Sequence, residues 1–216
     1  MAKLTSCNTI KKCVFNYDKS EFPELTEEQL ENLRKVEIVF GDITKIHCDA
    51  IVNSASKTLR CGGGVDLAIH KAAGPKLTDE CAKLGGCKTG EAKITKAYKL
   101  PCKKIIHTVG PVYSREDREE ISDQLASCYY NSMKLADENI LGVITFPAIS
   151  NGIFGFPTRL SLPIVITTVS NALSEFKNIK QVNLICHSPI QYTAYTSYFE
   201  EVKKLALTKL RKQKKQ

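Results

Sequence analysis

IVNSASKTLRCGGGVDLAIHKAAGP, residues 51–75, is the stretch whose reading decides the fold. It opens on a short run of apolar, partly β-branched residues, passes through three consecutive glycines at 62–64, and continues into an amphipathic stretch. A buried strand, a turn and a helix therefore follow one another directly, which is the connection that parallel sheets require. The same grammar repeats on both sides. VEIVF (36–40), DAIVN (49–53), EAKITKA (91–97), KIIHTV (104–109), VITFP (143–147) and QVNLICH (181–187) read as strands. Several are apolar at consecutive positions, as strands covered on both faces are. Helices are predicted over 65–73, 76–84, 119–139, 159–176 and 192–210. Helices alternating with buried strands give a three-layer α/β/α sandwich.

Composition supports one core. The chain has 216 residues, 43% hydrophobic and 25% charged, enough to bury roughly 70% of its unfolded surface without a metal or disulfide staple. Its nine cysteines are odd in number and form no CxxC pair; they read as reduced thiols, placing the protein in the cytoplasm or nucleus, with no metal site. The first residues lack the apolar core of a secretory signal, and the most apolar stretch, 160–169, is broken by Ser, Pro and Thr, so no membrane association is expected. Nearly all of the net charge of +8 comes from residues 203–216, which hold seven Lys or Arg and no acid. That run reads as a solvated helix end or, secondarily, as a weak contact to nucleic acid. Residues 1–35 form a polar extension in which Thr26 can cap a short helix with an acidic first turn. The domain proper spans 36–205, and 206–216 form a basic tail.

In open α/β sheets ligands bind where loops leave the carboxyl ends of strands. Three such loops stand out. Gly41-Asp42-Ile43-Thr44 offers a carboxylate that could accept from an exocyclic amine such as that of adenine, or simply cap a turn. Gly62, Gly63 and Gly64 run into a helix, so unobstructed amides and the helix dipole can meet phosphate oxygens. The spacing is not that of a dinucleotide fingerprint. Asp66 would serve either as a first-turn acid or as a carboxylate beside that ligand. Ser150-Asn151-Gly152-Ile153-Phe154-Gly155-Phe156 supplies a second amide-rich turn carrying two rings in need of a packing partner. Two glycine-rich loops with a carboxylate between them point to a diphosphate.

The ordered motifs GDIT, residues 51–75, GGCKTGEAKIT, IIHTVGP and ISNGIFGFP resemble those of a macrodomain of the MacroD type over about 36–205. The resemblance implies a mixed, mostly parallel six-stranded sheet and an ADP-ribose pocket at the strand ends. It further implies hydrolysis of esters that join ADP-ribose to acidic side chains or to acetyl. Carried onto this chain, Asp42 and the Ile43 amide would hold adenine. Asn53, Gly62, Gly63, Gly64 and Val65 would line the diphosphate and distal ribose, and Ser150, Asn151, Gly152, Ile153 and Phe154 the second diphosphate loop. Phe156 would flank the cleft. Asp66 would orient the substrate or a water, with substrate-assisted attack and no cofactor. The partners implied are ADP-ribose and mono-ADP-ribosylated proteins, with the chain a monomer.

One departure bears on activity. Ser56 stands where hydrolytic members have an Asn ten residues before the acid, so a hydroxyl replaces an amide that both donates and accepts. A hydrolase, with Asp66 and Ser56 as its catalytic residues, and a non-catalytic ADP-ribose reader both follow from this sequence; a nucleic-acid module rests on the tail alone. His70 and His107 read as structural imidazoles within apolar surroundings, and Cys61 as a small buried thiol rather than an activated one.

Overall fold

The computed structural model describes residues 22–213. A helix α1, Glu27–Asn32, is closed by a capping box in which the Gln29 amide donates to the Thr26 hydroxyl and Gln29 answers the Thr26 amide. The chain then alternates: β1 Val36–Phe40, β2 Cys48–Ser54, α2 Gly64–Ala73, α3 Pro75–Lys83, β3 Ala92–Lys96, β4 Cys102–Thr108, α4 Arg118–Glu138, β5 Val143–Phe146, α5 Thr158–Glu175, β6 Gln181–Cys186 and α6 Pro189–Gln213. The described residues form a six-stranded sheet in the order β1-β6-β5-β2-β4-β3. All neighbours are parallel except β3 with β4, so the expected mixed, mostly parallel sheet is the one observed.

Two apolar clusters cover its faces, because successive strand side chains point to opposite sides. Val52, Ile106, Phe146 and Leu184 pack with α4, α5 and α6; Ile51, Ile105 and Ile185 pack with α2 and α3. β2 and β5 are neighbours, yet their outgoing chains lead to helices on opposite faces. The two loops therefore part at the carboxyl edge of the sheet and open a crevice between them.

Within the described residues, the segment before β1 and the last helix are packed against this body. Leu33 is fully buried, Asn32 donates to the Ser170 carbonyl on α5, and Phe22 stacks on Tyr198 of α6. Position 205 lies inside α6, with Ala206 buried beyond it. The helix expected over 192–210 is extended by three residues at each end, to Pro189–Gln213.

Gly110, just after β4, is fixed by a close approach: a Cβ there would lie 2.1 Å from Ser150 Oγ and 2.7 Å from Ile149 Cγ2. The loop after β5 thus sits directly on the bare backbone of its neighbour. Gly110→Ala should lower stability by about 1–3 kcal/mol through overpacking, read as a lower urea midpoint with unchanged slope; an unshifted midpoint would show that the loop moves aside freely.

Candidate functional site

The loop leaving β2 is pinned before it reaches the glycines. The Ala55 amide donates to the Thr108 carbonyl (2.8 Å) and the Cys87 amide to the Lys57 carbonyl (2.9 Å), while Leu59 is buried beneath. Gly86 makes the second bond possible. Its φ of +88° suits glycine, and a Cβ there would meet the Lys57 carbonyl oxygen at 2.9 Å. The motif GGCKTG thus acts by supporting the loop from outside.

Beyond Leu59 the chain runs through Cys61 to α2, whose N-terminus has no side-chain cap. Its first amides, together with those of Gly63 and Gly64, are consequently free of side-chain competition and lie at the positive end of the helix dipole. Asp66 is in the first turn but buried, 2% exposed. Its Oδ2 accepts from the Gly62 amide (2.6 Å) and its Oδ1 from Asn53 Nδ2 (2.7 Å). His70 Nε2 lies 3.4 Å from Oδ1, short of hydrogen-bond geometry, while its Nδ1 meets Thr78 Oγ1 at 3.2 Å. Ser56 Oγ pairs with Thr58 Oγ1 (3.3 Å), and Ser56 Cβ stands 3.8 Å from where a Gly62 Cβ would be. Ser56 and Asp66 therefore flank the same glycine.

The second loop faces the first. A Cβ on Gly63 would lie 3.3 Å from Ile153 Cδ1, so the two glycine-rich turns meet across the crevice, with Ile153 otherwise 85% exposed. Gly152 and Phe154 flank that tip. Ser150, at φ +63°, is buried with no partner for its hydroxyl. Asn151 turns inward: its Nδ2 donates to the Phe156 carbonyl (2.8 Å) and to Ser161 Oγ (3.0 Å), and its Oδ1 accepts from the Tyr195 hydroxyl (3.3 Å).

Three of the expected site residues have side chains that do not face the crevice. Phe156 does not flank the cleft; it is 2% exposed and packs edge-on against Tyr113, because the ring completes the core beneath α5. The Asn151 side chain staples its own loop rather than facing a ligand. Asn53, also expected at the ligand, is fully buried and reaches the crevice only through Asp66.

On the loop after β1, at the carboxyl edge of the sheet, Asp42 is exposed. Its Oδ1 accepts from the Thr44 amide (2.9 Å) and the Thr44 hydroxyl (2.8 Å), bonds that hold its carboxyl below the usual carboxylate range. Asp42 is thus both the cap and an ionised acceptor with its second oxygen uncommitted by these bonds. Ile43 beside it is buried. Cys61 is a half-buried thiol whose pKa is raised by burial and then by the Asp66 charge, so it is not an activated nucleophile. Among the described residues no cluster of His, Cys, Asp and Glu could hold a metal.

Two surface depressions lie elsewhere, one of about 310 Å³ lined by Glu91, Glu120 and Asp123 and one of about 390 Å³ along α6. The first would repel an anion and the second is an open helix flank.

A family model described as Macro domain matches residues 52–165. The Macro domain-containing protein of Methanosarcina mazei is 48% identical over 157 residues, 73% of this chain and 83% of its own. ADP-ribose glycohydrolase MACROD1 of Bos taurus is 44% identical over 168 residues, 78% of this chain and 51% of that relative. Among solved structures, a Trypanosoma brucei macrodomain in complex with ADP-ribose superposes with a TM-score of 0.72 at 36% identity, covering 82% of this chain and 73% of that one. An Oceanobacillus iheyensis macrodomain with ADP gives 0.74 at 36%, covering 78% and 92%.

His107, buried beside this site, is pushed down to about 4 by desolvation and then by His70. The unfolded imidazole binds its proton near pH 6.5, so the unfolded state gains protons first and stability falls as pH drops from about 6.5 toward 4. The loss should reach about 3 kcal/mol, measured by urea unfolding between pH 7 and 4.5. His107→Gln should flatten that limb; an equal slope in the variant would assign the dependence to other groups.

Proposed function

This chain belongs to the Macro domain family, and from that footing we propose that it binds ADP-ribose and hydrolyses ADP-ribosyl esters on acidic side chains, or O-acetyl-ADP-ribose. One observation carries the reading. Asp66 is an acid buried at an uncapped helix N-terminus and held by the amide of the glycine loop that would take the diphosphate. The names of similar proteins, an ADP-ribose glycohydrolase and a macrodomain in complex with ADP-ribose, support it.

In this reading the adenine amine donates to Asp42, with the Ile43 amide beside it. Amides of Gly63, Gly64 and Val65 and of Gly152, Ile153 and Phe154 close on the diphosphate from the two sides, where negative charge meets the helix dipole. Buried polar atoms without a partner cost about 1–3 kcal/mol each. Ser150 Oγ is such an atom in the second loop, where a hydroxyl-bearing ligand or its water supplies what it lacks. Asp66 then orients the distal ribose or a water held against the diphosphate, and the substrate assists its own attack. Nothing in the site supplies an enzyme nucleophile, since Cys61 is raised away from thiolate. Mono-ADP-ribosylated proteins are the partners this chemistry serves.

A reader without turnover is the second reading, favoured by Ser56 in place of the amide that would fix the distal ribose.

ADP-ribose should bind with micromolar affinity, about −7 to −8 kcal/mol, by calorimetry at physiological salt; no heat up to millimolar ligand would remove the pocket. Asp42→Ala should weaken binding by about 1.5–3 kcal/mol through loss of a charged acceptor, while ribose 5-phosphate, which lacks the base, binds as before. An equal loss for both ligands would reduce Asp42 to a loop cap.

Ser56→Asn decides between enzyme and reader. It should raise release of ADP-ribose from modified glutamate about 10-fold, with little change in affinity, because the amide acts on the reactive geometry. Asp66→Ala should abolish release in both backgrounds. A parent and a Ser56→Asn variant that both bind ADP-ribose and release none would establish the reader.

A further inference from the structure

Beneath the site a row of polar side chains crosses the face of the sheet under α2. Asn53 on β2 and His107 on β4 are register partners, and both are fully buried. Asn53 Nδ2 lies 2.7 Å from Asp66 Oδ1 and 3.1 Å from His107 Nδ1. His107 Nε2 lies 2.9 Å from Thr95 Oγ1 on β3 and 3.7 Å from Cys81 Sγ on α3. His70 on α2 completes the surroundings, its ring centre 6.4 Å from that of His107.

The protons in this row are not free to choose. A primary amide has two N–H groups on one end and an acceptor on the other. With the nitrogen end toward both neighbours, Asn53 gives one proton to the Asp66 carboxylate and one to His107 Nδ1, which must then be bare. The imidazole proton sits on Nε2 and is donated to Thr95. Turning the amide would put its oxygen 2.7 Å from Asp66 Oδ1, a contact between two acceptors unless the acid is protonated. The Gly62 amide already donates to the other Asp66 oxygen, so both carboxylate oxygens are met by N–H donors.

We propose that His107, held by Thr95 as the neutral Nε2–H tautomer, is a positioning residue for Asp66: it obliges Asn53 to present an N–H to the carboxylate. This inference rests on Asp66 acting in ADP-ribosyl ester hydrolysis. The Thr95–His107–Asn53 row never touches substrate. It fixes the orientation of the acid that does, from strands that cannot shift without breaking the sheet. Burial serves the same end, since desolvation keeps the imidazole uncharged and Nδ1 available as an acceptor.

The test uses the full chain, labelled with ¹⁵N. Ring-nitrogen NMR should find His107 at neutral pH protonated on Nε2 and bare on Nδ1. Thr95→Val keeps the side-chain shape and removes the acceptor for Nε2–H. The ring should then shift toward Nδ1–H, and kcat for release of ADP-ribose should fall about 10-fold with ADP-ribose affinity within about 2-fold. Thr95→Ser, which keeps the hydroxyl, should restore the parent tautomer and rate. A parent ring protonated on Nδ1 overturns the proposal, as does a Thr95→Val protein whose tautomer changes while kcat does not. Failure of the hydrolase reading would appear separately, as a parent that binds ADP-ribose and releases none; the parent's ring tautomer then still decides which end of Asn53 faces Asp66.

Discussion

A carboxylate removed from water must be supplied with donors, and the burial of Asp66 imposes that requirement on the surrounding structure. An unpaired buried charge is among the costliest things a fold can contain. The amide of Gly62 meets one oxygen and Asn53 the other. The first demand shapes the glycine loop, which must curl back over its own helix. The second places a buried polar residue near the carboxyl end of β2, and that residue in turn requires His107 and Thr95 on the next two strands. The acid, the loop that would take the phosphates and the polar row beneath the helix are therefore parts of one hydrogen-bonded unit.

The rest of the architecture presents this unit to a ligand. Parallel strands bring their carboxyl ends to one edge, and the divergence of the β2 and β5 connections opens the crevice there. Gly110 lets the second loop settle on the backbone after β4, and Asn151, tied to the Phe156 carbonyl, Ser161 and Tyr195, gives that loop its shape. The apolar layers on both faces make these placements rigid, so the two sets of amides face each other before any ligand arrives. Preorganised donors of this kind need little rearrangement when charge is bound or develops between them.

Much of this was legible in the sequence. The strands and helices declare themselves because both-face burial leaves continuous apolar runs and one-face burial leaves helical periodicity; the helices over 64–83 begin and end within a residue of where Gly62–Gly64, Pro75 and Gly85 place them. Ser56, Asp66 and the two glycine-rich turns lie together. What escaped was whatever depends on contacts between distant segments. Phe156 and Asn151 sit in a turn that reads as exposed, yet one fills the core and the other staples the loop, and no local pattern marks either role. The junction of α1 with α5 rests on Asn32 reaching Ser170, a pairing that a polar stretch before the first strand does not announce. Asn53 and His107 were visible as polar residues in apolar strands, but only the register of β2 against β4 makes them partners.

The account's central claim, that the two loops around Asp66 form one diphosphate-binding site, is tested most directly by following backbone amide signals while ADP-ribose is added. The amides of Gly62, Gly63, Gly64, Val65, Gly152, Ile153 and Phe154, together with Ile43 at the adenine end, should move in a single saturable transition, and Gly62 should report the changed bond to Asp66. Signals that move instead around Gly90 and Gln124 in the acidic depression, or along α6 near Lys204 and Leu207, with the two loops unchanged, would contradict it.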